Sequence, residues 1–257
     1  MPGEVLFTGD GPIARVTLSH AGKLNAMSRA MWRELRAVFR RIHDSSEWRC
    51  AIVAGGAGAF CAGGDIAEYP SFRFDEAALR DFHEDEVGGA LDAMLQCDVP
   101  VVAQIQGACM GAGVEIASCC DIRIAGESAR FGAPIARLGF PMAPREARIV
   151  ARAAGELTAR EMLLEAAVLP AAEMKARGFL HRVVNDSVVA GEAQASAERM
   201  AALSPQAARL NKQALRSLGP EAPPADAYRY ADSAEHREGI AAFLEKRRAI
   251  FKKTSVR

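Results

Sequence analysis

Two glycine-rich segments constrain this chain more than any other feature. Gly55-Gly56-Ala57-Gly58-Ala59-Phe60-Cys61-Ala62-Gly63-Gly64-Asp65 follows the apolar run 51–54, and Gly107-Ala108-Cys109-Met110-Gly111-Ala112-Gly113 follows the apolar run 101–105. A short apolar run closed by glycines reads as a buried strand that leaves its sheet through a tight turn. Neither segment is a nucleotide loop. Gly58 and Gly63 have P-loop spacing, but Gly64-Asp65 stands where Lys-Ser/Thr would meet phosphates. Gly107, Gly111 and Gly113 have the wrong order for a dinucleotide fingerprint and lie far from the first strand. What the two turns offer is backbone that can approach a ligand closely and present N–H groups to a developing oxyanion.

The rest of the chain supports an α/β fold. Residues 5–7 and 13–18 are short strands joined by Gly9-Asp10-Gly11-Pro12, a hairpin turn. Ser28 caps a helix to His43, with Met31, Leu35, Val38 and Ile42 at helical spacing. Residues 75–96 read as one helix, 114–119 as helical, and 121–125 as a strand. From Arg145 the pattern is almost wholly helical, and strand–helix alternation in the first half implies an α/β core. A boundary near residue 190 divides that core, 1–190, from a helical region, 191–257, broken at 218–224.

Composition excludes several functions. Lys+Arg and Asp+Glu each total 32 of 257 residues, so no net field draws in nucleic acid or an anionic membrane. The six cysteines have no zinc-type spacing and sit mostly in apolar runs, which suits buried free thiols in a reducing compartment. No metal cluster is apparent. The first ten residues lack a basic-then-apolar leader pattern, and no 18-residue apolar run occurs, so the expected location is the cytoplasm.

The segments Ala59 to Ile66, Ile105 to Ala117 and Cys120 to Ala125, in that order and spacing, resemble the signature of the crotonase (enoyl-CoA hydratase/isomerase) superfamily. Lys23-Leu24-Asn25-Ala26-Met27, Phe131-Gly132 and the stretch from Glu238 to Arg247 extend the resemblance nearly end to end. It implies a spiral of ββα units with a C-terminal helical region that packs homotrimers, often doubled to hexamers. The implied substrate is an acyl-CoA thioester. Its carbonyl oxygen would accept from two backbone amides, which map to Ala62 and Ala112. Lys23, Ala26 and Gly63-Gly64-Asp65-Ile66 would lie on the coenzyme A path, and Phe243 and Lys246 would reach coenzyme A, often from a neighbouring subunit. No separate cofactor is called for, because coenzyme A is part of the substrate. Lys246, Arg247, Arg248, Lys252, Lys253 and Arg257 form an acid-free stretch whose charge suits phosphates.

Glu115, beside the second turn, is the candidate catalytic residue. Hydratases of the family usually hold a second glutamate just after Phe-Gly-x-Pro, a place occupied here by Ile135. An isoleucine transfers no proton, and such help is typically worth about 10²–10⁴-fold. Arg137, Arg145 and Glu146 lie nearby in sequence, and arginine there could only bind charge. His83, among acids on a helix, reads as a surface residue. These observations favour an enoyl-CoA hydratase-like lyase with a single catalytic glutamate. The alternatives are decarboxylation, thioester hydrolysis or isomerisation at the same site, or a silent acyl-CoA-binding subunit. The wall of the acyl pocket is expected from residues 69–92.

Overall fold

The structure is a computed structural model and describes residues 2–216 and 228–251. The expected break at 218–224 and the basic residues Lys252, Lys253 and Arg257 lie outside them.

Strands β1 (Glu4–Asp10) and β2 (Ile13–Ser19) form the expected antiparallel hairpin. Helix α1 (Arg29–Asp44) starts after Ser28, whose hydroxyl accepts the Met31 N–H at 3.2 Å. Strand β3 (Cys50–Gly55) enters the first glycine segment, and a 3₁₀ turn at Ile66–Ser71 follows. The single helix expected over 75–96 is instead three pieces: α2 (Glu76–Asp81), a π-helical segment at Phe82–Val87, and α3 (Gly88–Gln96). Apolar periodicity carries no mark of one extra residue per turn, so the π segment was invisible in the sequence.

Next come β4 (Val101–Ile105), β5 (Ala108–Met110) and α4 (Ala112–Ser118), then β6 (Ile122–Gly126) and β7 (Arg130–Gly132). After a 3₁₀ turn at Pro134–Leu138 the chain runs through α5 (Pro144–Ala154), α6 (Glu156–Leu164), β8 (Val168–Pro170), α7 (Ala171–Ala176) and β9 (Arg182–Val184). Helices α8 (Val189–Ala201), α9 (Pro205–Arg216) and α10 (Ala234–Leu244) close the described chain. The wholly helical expectation after Arg145 missed β8 and β9, which at three residues each are too short to show alternation.

The main sheet has the order β1-β2-β3-β4-β6-β9 and is parallel from β2 onward, while β5, β7 and β8 form a second, smaller sheet. The chain therefore repeats a strand–strand–helix step. β4 pairs in parallel with β6 in the large sheet, and β5 with β7 in the small one. One step earlier, Cys61 forms a single parallel bridge to Cys109, so the segment after β3 occupies the equivalent place. Residues following the second strand of consecutive steps are thereby stacked side by side.

Both faces of the sheet are covered, which explains its near-continuous apolar strands. Trp32, Leu35 and Phe39 of α1 pack in one core with Val16, Val53 and Ala103. On the other face Ile13, Ile52, Val102 and Ile124 meet Ala193 and Ala197 of α8, small residues at i, i+4 spacing that let the helix lie close. The boundary expected near residue 190 falls in the first turn of α8, whose alanines pack on this second face of the sheet. Polar α8 residues between the alanines hid this role.

The first glycine segment is pinned by Asn25. Its side-chain amide donates to Gly56 and Ala59 carbonyls, each at 2.8 Å, and its oxygen accepts the His20 N–H at 3.1 Å. Asn25→Ala strips partners from the buried His20 N–H and Ala59 carbonyl. At roughly 1–3 kcal/mol per buried orphan the variant should lose about 3 kcal/mol. A lowered urea midpoint with unchanged m-value is the expected reading.

Candidate active site

The two glycine segments are bound to each other along a short parallel ladder. The Cys61 N–H donates to Ala108 at 2.9 Å and the Met110 N–H donates to Cys61 at 2.8 Å. Gly113 completes the fit, because a Cβ there would lie 2.6 Å from the Cys61 carbonyl oxygen. The ends of the segments, Ala62-Gly63-Gly64 and Met110-Gly111-Ala112, line one cavity of about 330 Å³ with Glu115, Tyr69, Ile135 and Glu146.

The availability of donors corrects one expectation. The Ala62 N–H donates to the Leu24 carbonyl at 3.0 Å, so it is not open to a ligand. Two residues on, Gly64 forms a parallel bridge with Met27, in which Met27 donates to Gly63 and Asp65 donates to Met27, each at 2.8 Å. In such a bridge the central residue's own N–H points away from the partner strand. The Gly64 N–H accordingly has no acceptor among the described residues. A Cβ at Gly64 would lie 2.1 Å from the Tyr69 hydroxyl, so a larger residue there would have to displace the end of the Tyr69 side chain. Ala112 opens α4, whose first internal bond runs from Glu115 N–H to Gly111 at 3.0 Å, and its N–H likewise has no acceptor among the described residues. The Gly63 N–H also has no acceptor among the described residues, so the open donors are Gly63 and Gly64 in the first segment, of which the bridge turns Gly64 away from the Met27 strand, and Ala112 in the second. The signature letters alone could not separate Ala62 from Gly64, because the choice depends on which amide the Leu24 carbonyl takes.

Glu115 is only 6% exposed, yet its carboxyl has no protein partner among the described residues. The side chain faces the cavity. Burial first, and the charge of Glu146 second, hold its proton well above the ordinary carboxylate range. Glu146, which the sequence offers beside Arg137 and Arg145 near the place of the usual second glutamate, is 3% exposed in the first turn of α5. His83 meets it, with Nδ1 to Oε1 at 2.6 Å. The surface reading of His83 is overturned: its side chain is 16% exposed, and it sits on the π segment. Its acidic neighbours suggested a surface place, although Leu79 and Val87, four residues either side, lie on the same face. Ile135 forms an apolar part of the same wall.

A larger cavity, about 830 Å³, adjoins the first and shares Ile66, Tyr69, Arg73, His83 and Phe140 with it. Phe74, Leu79 and Leu138 add to an apolar lining, and the pocket wall expected from 69–92 is present. Arg73 is wedged between the rings of Tyr69, at 4.4 Å, and Phe140, at 3.8 Å. Arg145 binds Asp92 at 3.1 Å, so it is not free for a substrate carboxylate.

Other expected residues have mixed fates. Lys23 pairs with Asp65 at 2.6 Å, and the second Asp65 oxygen accepts the Ala67 N–H at 3.3 Å. These two brace the first segment. Ala26 is buried beside it, and its carbonyl meets His20 Nδ1 at 2.7 Å. Gly63 and Ile66 line the cavity, whereas Phe243, 81% exposed on α10, and Lys246 just beyond it do not. Arg247 is held by Glu238 at 2.6 Å and Glu245 at 2.5 Å, which removes it from the expected phosphate-binding stretch. All six cysteines are free and buried. Burial pushes the Cys61 thiol up to about 12, so no thiolate nucleophile stands beside the cavity. Among the described residues there is no metal-binding group, and no helix is long and apolar enough to cross a membrane.

The family described as Enoyl-CoA hydratase/isomerase matches residues 8–254. A Rhizobium meliloti protein described as a probable enoyl-CoA hydratase is 32% identical, covering 96% of this chain and 97% of its own. A short-chain-enoyl-CoA hydratase of Clostridium acetobutylicum is 29% identical over 95% of this chain and 96% of its own. The crystal structure of an enoyl-CoA hydratase/carnithine racemase from Magnetospirillum magneticum superposes with a TM-score of 0.92, at 34% identity, covering 97% of this chain and 96% of that one. The chain belongs to the enoyl-CoA hydratase/isomerase family and has the crotonase fold. It is an acyl-CoA enzyme of that family.

The Glu115 environment predicts a stability profile. A carboxyl raised on folding contributes most below the unfolded value, and that contribution is lost as pH rises through the raised folded value. Stability should therefore fall from mildly acid to alkaline pH, and Glu115→Gln should flatten the slope. Urea midpoints of both proteins across that range check it.

Proposed function

We propose that this protein is an enoyl-CoA hydratase-like lyase that holds the substrate thioester oxygen between the Gly64 and Ala112 N–H groups. The observation that supports this best is the combination of unsatisfied amides on both glycine segments and one unpartnered, buried carboxyl, Glu115, around a single apolar cavity. Two such donors lower the barrier by stabilising negative charge that exists only after water adds or a proton leaves. Glu115, protonated over an unusually wide pH range, is placed to exchange a proton with the acyl chain.

Gly63 and Ile66 would guide the pantetheine arm toward the cavity, with Ala26 behind them. Lys23 and Asp65 would act through the shape of that segment. Phe243 and Lys246 would contribute from a neighbouring subunit, in a homotrimer or a dimer of trimers. Coenzyme A enters as part of the substrate, no further cofactor takes part, and the setting is the cytoplasm.

The test is a panel of enoyl-CoA, malonyl-type CoA and plain acyl-CoA thioesters offered to the purified protein. Hydration of the enoyl thioester should be the dominant turnover, and Glu115→Gln should lower kcat about 10²–10⁴-fold. Ala112→Pro removes one donor at the first helical position, where proline is tolerated, and should cost about 10²–10³-fold in kcat with the fold retained. Hydration that is indifferent to Glu115→Gln, or turnover confined to another thioester class, would reject the reading.

A further inference from the structure

The cavity holds a second carboxyl group that the family pattern does not place. Glu146 comes from α5, on a different element from Ile135, and lines the same cavity as Glu115. Neither carboxyl is paired with Lys or Arg among the described residues. The only side-chain partner recorded for either is the His83 imidazole, 2.6 Å from Glu146 Oε1. A buried acid without a compensating charge is costly, and a helix N-terminus alone would be equally served by an acid facing solvent. Here the acid faces inward, its second oxygen remains for another donor, and the histidine behind it stands on a π segment, a distortion frequent at functional sites.

We propose that Glu146, positioned by His83, is a second catalytic residue: the base that activates water, while Glu115 delivers the proton to the acyl chain. The assignment rests on the hydratase reading above. The roles follow from the surroundings. The two carboxyls line one cavity but differ in their partners. Burial keeps a proton on Glu115, which has no partner among the described residues, whereas Glu146 has the His83 Nδ1 at 2.6 Å from its Oε1 to orient it toward water.

In the forward step the water oxygen bonds to the β-carbon as one of its O–H bonds breaks, and that proton passes to Glu146. The π electron pair of the double bond moves through the thioester enolate, held by Gly64 and Ala112, and then takes the Glu115 proton at the α-carbon. The product is the 3-hydroxyacyl thioester, with Glu146 protonated and Glu115 ionised. Return of one proton from Glu146 to Glu115 restores the starting state, so no co-reactant is needed beyond water. Ile135 leaves the wall at the family's usual second position dry, and water is directed to the side of the cavity that Glu146 lines.

The experiment compares hydration of a short trans-2-enoyl-CoA by wild type, Glu146→Gln, His83→Ala and His83→Gln, with unfolding midpoints measured in parallel. Glu146→Gln is isosteric and still accepts from His83. It should lower kcat at least 100-fold, the small end of general acid–base effects, with KM within a few-fold of wild type. His83→Ala should lower kcat about tenfold without raising KM, and His83→Gln, whose amide N–H can replace Nδ1–H, should recover part of that loss. A Glu146→Gln enzyme turning over within a few-fold of wild type would overturn the proposal while leaving the hydratase reading intact. So would losses confined to KM or to the unfolding midpoint. A wild-type protein that hydrates no enoyl-CoA would overturn the reading on which the proposal rests.

Discussion

The short parallel ladder joining Cys61 to Ala108 and Met110 is the interaction on which the rest depends. It is a by-product of the spiral: each strand–strand–helix step lays its second strand beside that of the next, and the first such contact is a single bridge. That bridge sets two glycine segments at van der Waals distance, with Gly113 against the Cys61 carbonyl. Once the ladder is made, backbone hydrogen-bond accounting decides which amides remain. Cys61 and Met110 donate to each other's strands, Ala62 donates to Leu24, and the N–H groups of Gly63, Gly64 and Ala112, all lining the cavity, are left without an acceptor among the described residues. Buried amides are almost always satisfied, so open donors on adjacent turns mark a place prepared for a ligand atom.

The same cavity carries an electrostatic cost that the remainder of the fold offsets. Glu115 and Glu146 are both almost fully enclosed, and among the described residues no guanidinium or ammonium neutralises either. An interior built for stability would replace them with apolar residues or pair them with arginine. The surrounding core is extensive enough to tolerate the penalty: α1 on one face and α8 on the other seal a continuous apolar sheet. Strain in the protonation equilibrium is thus stored at one place and supported by packing elsewhere, the usual arrangement where a group must hold or release a proton.

Much of this organisation was legible in the sequence, and the reasons differ by level. The hairpin, the Ser28 cap, the strand at 101–105 and the two glycine segments are written in short-range patterns of turn residues and apolar runs, and they appear as read. Glu115 and Ala112 were legible because they lie within one contiguous motif. Ala62 was read as the donor because the motif does not show that its N–H is taken by the carbonyl of Leu24, 38 positions earlier in the chain. The pairing of Glu146 with His83 was hidden for a similar reason. Their partnership spans 63 residues, and the acids around His83 drew the reading toward solvent. Patterns of period two or 3.6 reveal elements, whereas pairings between distant elements need the fold itself.

The central claim is that the first loop offers Gly64, not Ala62, and that the second offers Ala112 to the same oxygen. A crystal structure with a bound acyl-CoA thioester tests it directly. The account predicts the thioester oxygen about 2.7–3.1 Å from both the Gly64 and Ala112 nitrogens, with the Ala62 N–H still on Leu24. A thioester oxygen lying elsewhere in the cavity, or one bound by Ala62 after release of the Leu24 carbonyl, would contradict it.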